Sequence, residues 1–236
     1  MRVLGRTVFA SFLLLAPSFV TAQAGPSAKS SEPTVTFQFN WDQGHPWLEY
    51  TITVSESGTT HFSGTGNAAE NGDDDSFQQD FAMSEANRQK VFQLAKQANY
   101  FQGQFEAKQK NIAKTGIKKL EYRAGPVDSA TTYNYSPNPD IQQLTKLFQS
   151  IAITLDYGRK LAYQYRFDKL GMDTRLKELA DMQASGYAEE LQAIEPILRK
   201  IADDPNLMHI ARLEARQLLK SIPGAATTTT GQSSQP

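Results

Sequence analysis

Near Pro137 the spacing of apolar residues changes from every second position to every third or fourth, so the chain must bury two kinds of surface. Alternate side chains of a strand face opposite ways, whereas a helix returns to the same face after about 3.6 residues. Before the change, Val35, Phe37, Phe39 and Trp41 alternate with Thr36, Gln38 and Asn40. Leu48, Tyr50, Ile52 and Val54 alternate in the same way with Glu49, Thr51 and Thr53. Both runs predict half-buried strands, each with one apolar and one polar face. A third strand, TTHFSG, is expected after a turn at Gly58, where a positive φ suits glycine.

A fourth strand is expected around Phe77, Phe81 and Met83, with Gln78 and Asp80 on its other face. Ser84 then reads as the N-cap of a helix whose apolar stripe is Val91, Leu94, Ala95 and Ala98, ended by the aromatic run NYFQGQF. Two more strands are expected at IKKLEYR and ATTYNYS, pairing Leu120 with Tyr122 and Tyr133 with Tyr135 in phase. After the change of period, Asn138 followed by Pro139 is a helix start. Ile141, Leu144, Phe148, Ile151, Leu155, Ala162 and Tyr165 carry that helix for about 30 residues at helical spacing, with Gly158 the point where a bend or break is expected. Gly171 and Asp173 predict a C-terminal cap and the next N-cap, Pro196 a kink or split, and Asp204 with Pro205 a restart before Leu207, Ile210, Ala211 and Leu218.

The expected fold class is therefore α+β. An antiparallel sheet with one packed helix occupies residues 34–136, followed by a C-terminal helical region of four or five helices over 137–222. The ends read differently. Arg2 and Arg6 precede the apolar run TVFASFLLLAPSFV, and Ala22, Gln23 and Ala24 fit a small-residue cleavage site, so 1–24 is expected to be a signal peptide. Pro17 interrupts the run, which is shorter than the roughly 20 residues of a spanning helix, so no stable membrane span is expected after cleavage. Residues 25–33 form a Pro/Ser linker, and 223–236 a low-complexity tail with too little apolar material to fold.

Composition narrows the function classes. The chain has no cysteine, which excludes disulfides, thiolate metal sites, a cysteine nucleophile and a cysteine-linked lipid anchor. Its formal net charge of -1 gives no general attraction to nucleic acid, which is not expected as a partner. No cofactor motif is present.

Two stretches carry resemblances. The pattern LEYTITVSESGTTHFSG, then a serine-capped helix, then YF and a strand pair resembles uncharacterised exported bacterial domains of unknown function, over about Trp47 to Ser136. The resemblance implies an exported bacterial protein and supplies no activity or functional residues. DDPNLMHIARLEARQLL is similar to the second helix of a HEAT repeat, through Asp204, Pro205, Arg212, Ala215 and Leu218. Solenoids need about three repeats, and no second copy follows.

Candidate site residues are few. His61 falls on the polar face of the third strand, and a histidine base needs a nucleophile and an orienting carboxylate, for which Glu49 or Asp80 are the candidates. No G-x-S-x-G elbow marks a serine nucleophile. His45 and His209 are scattered and form no ligand spacing, so no zinc site is expected. Glu70, Asp73 and Asp75 lie in the acidic loop AENGDDDSF, a weak calcium candidate whose order departs from D-x-D-x-D-G and which reads first as a solvated loop. Trp47 is out of phase with Tyr50 and Ile52, which predicts exposure and makes Trp47 and His61 the candidate binding residues. The expected function is an exported, non-enzymatic binding protein of the bacterial envelope, periplasmic or secreted, whose partner is a protein or envelope component. The alternative is a hydrolase using His61 with Glu49 or Asp80.

Overall fold

A computed structural model describes residues 32–41, 47–66, 76–109 and 111–223. The expected signal peptide, most of the linker, His45, the acidic loop with Glu70, Asp73 and Asp75, and the tail beyond Pro223 lie outside the described residues.

The alternating runs become β1 (Thr34–Asn40), β2 (Trp47–Ser55), β3 (Thr59–Gly66), β4 (Ser76–Ala82), β5 (Ile117–Ala124) and β6 (Val127–Tyr133). They form one six-stranded sheet in the order β4-β3-β2-β1-β5-β6, with every pair antiparallel. Gly58 makes the expected turn with φ +96°. β6 starts and ends earlier than its Tyr133 and Tyr135 alternation suggested. The Asn134 side chain accepts from the Thr115 N–H at 2.7 Å, which diverts the chain, and Tyr135 is left 42% exposed in the connection that follows.

Helix α1 (Glu85–Gln97) begins at Ser84, whose hydroxyl accepts from the Asn87 N–H at 3.4 Å. It ends in three successive left-handed residues, Asn99, Tyr100 and Phe101, with φ of 49°, 52° and 65°. Each costs about 1–2 kcal/mol in backbone strain. Burial of Phe101 offsets this, as do the Ser129 hydroxyl donating to the Tyr100 carbonyl and the Tyr100 ring lying 4.6 Å from Tyr122.

Helix α2 (Pro139–Phe167) runs 29 residues from the Asn138 cap, which accepts from the N–H groups of Asp140 and Ile141. Gly158 neither breaks nor ends it, because its missing side chain serves packing: a Cβ there would lie 2.3 Å from Ile194 Cγ2. The helix crosses the strands rather than following them. The Thr145 hydroxyl meets Tyr133 of β6, Phe148 stacks on Phe37 of β1 at 5.1 Å, and Arg159 lies against Gly66 of β3. Thr145 to Arg159 spans about 21 Å of helix, and β6 to β3 spans about 19 Å of sheet.

Three further helices complete the helical region: α3 (Met172–Ala184), α4 (Glu195–Asp203) and α5 (His209–Lys220). Gly171 occupies the N-cap of α3 without a side-chain bond, and Asp173 lies in its first turn instead of capping it. Pro196 splits its segment as expected, with a 3-10 turn at Leu191–Ile194 ahead of α4. Asp204 and Pro205 form the turn before α5, which starts at His209. The α4–α5 connection makes a helical hairpin.

The helical half docks on the sheet half. One hydrophobic cluster runs from Val35 through Phe148 to Ile222. Glu190, 5% exposed and left-handed at φ 62°, reaches the start of α1, accepting from the Ser84 N–H at 2.7 Å, the Ser84 hydroxyl at 2.6 Å and the Asn87 amide at 2.6 Å. Helices α1 and α2 therefore lie on one face of the sheet with α3 to α5 packed beyond them, and no described element covers the other face.

Candidate functional site

The open face is built by the polar half of the strand alternation. Register places Glu121, Thr36, Thr53, His61 and Asp80 in one row across β5, β1, β2, β3 and β4. The next row is Thr132, Lys119, Gln38, Thr51, Ser63 and Gln78. Hydroxyls and amides dominate the second row, whereas the first carries two threonines between Glu121 at one end and His61 with Asp80 at the other. The charges at the β5 end pair with one another. Glu121, although 7% exposed, is flanked by Lys119 and Arg123, and Arg123 also reaches Asp128 at 3.4 Å. The right-handed twist of an antiparallel sheet makes such a face saddle-shaped. A shallow concavity of about 480 Å³ lies over its centre, lined by Gln38, Asn40, Thr51, Ser63, Gln78 and Thr132 among others.

His61 and Asp80 come together: Nδ1 lies 2.6 Å from the Asp80 carboxylate. That bond orients Nε2 as a base would need. No described side chain bonds Nε2, and the neighbouring Thr53 hydroxyl is instead paired with Thr36 at 3.1 Å. Glu49 stands opposite Thr65, about 13 Å along the strand from the position opposite His61. His61 and Asp80 have side chains 50% and 75% exposed and do not line the concavity. Their ion pair contributes little in water.

Trp47 opens β2 with its backbone opposite Gly66, and its side chain lies outside the described residues. The calcium candidates lie outside them too. Among the described residues no group of three or more histidine and carboxylate side chains is placed to hold a metal ion. No helix there is long and apolar enough to cross a membrane.

Lys118 is the most unusual titratable group. It shares the buried phase of β5 with Leu120 and is 4% exposed, beside a second cavity of about 210 Å³ walled by Tyr133 and Tyr135. Burial lowers its pKa to about 8, partly opposed by the Glu106 carboxylate. Its ammonium donates to the carbonyls of Thr115, Gly116 and Asn134 and to the Thr115 hydroxyl, all within 2.9 Å. With every N–H occupied, this lysine ties the 115–116 loop to the end of β6 and is not presented as a nucleophile.

Of the residues lining the concavity, Gln38, Asn40, Glu49 and Thr51 were visible in the sequence as the polar alternates of β1 and β2. Their gathering into one site depends on strand order, which one sequence does not print. These features define an α+β protein with helices on one face of an antiparallel sheet and no described element on the other. In comparison with known proteins, the chain matches no family model and no curated protein.

Proposed function

We infer that this protein is a non-enzymatic binding protein of the bacterial envelope, exported by its N-terminal signal, and that the open sheet face carries the ligand. The observation that supports this reading is the concavity over Gln38, Thr51, Ser63 and Gln78, whose lining of hydroxyls and amides also includes Glu49, Lys119 and the apolar Phe39, Phe77 and Ile117, and which no described element covers. Lys119 on its rim is committed to Glu121, and Glu49 adds a carboxylate acceptor, so the lining matches a hydroxyl-rich ligand without anionic groups. A neutral stretch of envelope glycan has that chemistry.

Co-sedimentation with purified, insoluble cell-wall glycan tests the reading. The wild-type chain is expected in the pellet, and a Thr51→Arg/Ser63→Arg variant, which fills the concavity with charge, in the supernatant. Equal pelleting of the two proteins, or none by either, defeats it.

One observation favours a second reading, a hydrolase: the 2.6 Å contact that orients His61 on Asp80. That reading requires release of soluble fragments from the same glycan, abolished by His61→Ala. The exposure of the pair and the engagement of the neighbouring Thr53 hydroxyl with Thr36 weigh against it.

A further inference from the structure

Strand β4 is an edge whose outer hydrogen-bonding groups have a definite phase. The Met83 N–H donates to the Gly58 carbonyl at 2.9 Å, one step beyond the Thr59–Ala82 pair of β3 and β4. Bonded and non-bonded pairs alternate along an antiparallel ladder. Phe81, Gln79 and Phe77 therefore bond to β3, and the main-chain groups of Ala82, Asp80, Gln78 and Ser76 point off the sheet. The Gln192 amide donating to the Ala82 carbonyl at 3.3 Å agrees with this phase and closes that end of the edge. The N–H and C=O groups of Gln78 and Asp80 are left at an edge that no described strand joins.

Edge strands are commonly blunted by lysine, proline or a bulge. SFQQDFA contains neither residue, and its register against β3 runs without a break. Its one charge, Asp80, is held by His61 of the neighbouring strand at 2.6 Å. Phe77 and Phe81, on the helix side, are only half-buried at the rim of the core.

The side chains are self-complementary. Reversed about Gln79, the strand sets Phe77 opposite Phe81 and Gln78 opposite Asp80. The two phenyl rings then complete each other's cover, and an amide meets a carboxylate. A two-fold at Gln78 would set Phe77 against the Gln79 amide, and one at Asp80 would set two carboxylates face to face. We propose that β4 pairs antiparallel with β4 of a second copy about a two-fold at Gln79, joining two sheets into one of twelve strands. An edge accepts any extended segment through its backbone, and here the side chains select a second copy. Four main-chain hydrogen bonds link Gln78 and Asp80 to their counterparts, so the contact is reversible and at the small end of protein interfaces. The axis stands perpendicular to the sheet and leaves both polar faces on the same side. The row ending at His61 and Asp80 then continues into Gln78, Ser63 and Thr51 of the second copy, so two concavities share one surface. The pairing does not rest on the glycan reading.

The test is sedimentation velocity from about 1 µM to about 1 mM, the range in which a contact of this size associates. The protein used begins at Gly25, which keeps every described residue. The wild type is expected to pass from monomer to dimer within that range. Gln78→Pro removes an N–H that the monomer's own ladder does not use, and should abolish the dimer. Gln78→Glu sets carboxylates opposite each other twice in the dimer and should weaken it about fivefold, whereas Gln78→Lys should tighten it by a similar factor. Gln78 is exposed, so unchanged thermal midpoints are expected for all three, and the two charge variants decide the question if the proline variant is less stable. The proposal fails if the wild type stays monomeric throughout, if a folded Gln78→Pro still dimerises, or if the two charge variants shift association in the same direction. Species growing beyond the dimer also overturn it, since a β4 pair closes at two copies.

Discussion

Alanine at Gly158 should destabilise the protein even though alanine is the better helix former. The position lies inside α2, where glycine costs about 1 kcal/mol relative to alanine. A Cβ there would stand 2.3 Å from Ile194 Cγ2 and 3.1 Å from Ile194 Cβ. Carbon atoms pack best at about 3.5–4.0 Å, so the 3-10 turn carrying Ile194 must retreat by more than about 1 Å. Overpacking of this kind costs typically about 1–3 kcal/mol, and this overlap belongs at the upper end. After the gain in helix propensity, Gly158→Ala should lose about 1–2 kcal/mol. Ile194→Ala alone should lose about 2–5 kcal/mol, the usual range for truncating a buried isoleucine. In that background the new methyl meets no obstruction and fills part of the vacated space, so Gly158→Ala should then gain about 1 kcal/mol. The two substitutions are thus coupled by about 2–3 kcal/mol, with a change of sign. Urea unfolding of the four proteins in the cycle measures this through the midpoints, provided the slopes agree. If Gly158→Ala raises the midpoint in both backgrounds, the 3-10 turn carrying Ile194 does not approach α2 as described, and the reasoning for docking fails.

Two further predictions concern the buried polar groups. Lys118 has its pKa lowered to about 8 from 10.5, so between those values the unfolded chain holds a proton the folded one has released. Stability should therefore rise with pH across that window, by at most about 3 kcal/mol. Burial holds the Tyr50 and Tyr133 hydroxyls above their ordinary range, so the folded state keeps protons the unfolded state loses, and stability should fall above about pH 10. Chemical unfolding from pH 7 to 11 should trace this rise and fall, with the rise absent in Lys118→Met; a wild-type curve flat between pH 8 and 10 contradicts the account. For Glu190, alanine strands the donors of Ser84 and Asn87 and should lose about 2–3 kcal/mol in urea. Glu190→Gly should lose about 1 kcal/mol less, because it also relieves the left-handed backbone at φ 62°; equal losses would mean the backbone carries no strain there.

The strands and helices were legible because burial in each depends on local period. Val35, Phe37 and Phe39 repeat every second residue, and Ile141, Leu144, Phe148 and Ile151 at helical spacing. Asn138 and Ser84 were legible as caps because capping is settled within three residues. The misreadings arose where a distant residue decided the local outcome. Gly158 looks like a helix breaker until Ile194 is placed against it, and Tyr135 continues an alternation that Thr115 and Asn134 stop. Lys118 was on view as a cation in the apolar phase of its strand, but the carbonyls that accept its protons belong to a loop and to the end of β6.

The same argument explains why function was harder to read than fold. Gln38, Thr51, Ser63, Gln78 and Thr132 are individually ordinary polar alternates, and only the order β4-β3-β2-β1-β5-β6 sets them side by side. A catalytic site of the kind sought at His61 announces itself through residue types whose chemistry is rare. A face that binds by many weak hydrogen bonds uses the commonest polar residues, so no single one of them stands out in a sequence. That no described element covers the polar face follows from chain economy. α2 crosses the sheet on one side, α1 packs with it, and the three later helices pack onto α2 and one another, so no described element remains for the polar face. Helix length has the opposite consequence at the other end of the molecule. A 29-residue helix spans about 43 Å, and a six-stranded sheet is about 24 Å wide, so one end must project. Sequence alone gave the length of α2 and the strand count. The end that carries Tyr163 and Phe167 projects because Thr145, near the start of α2, sits at the β6 edge.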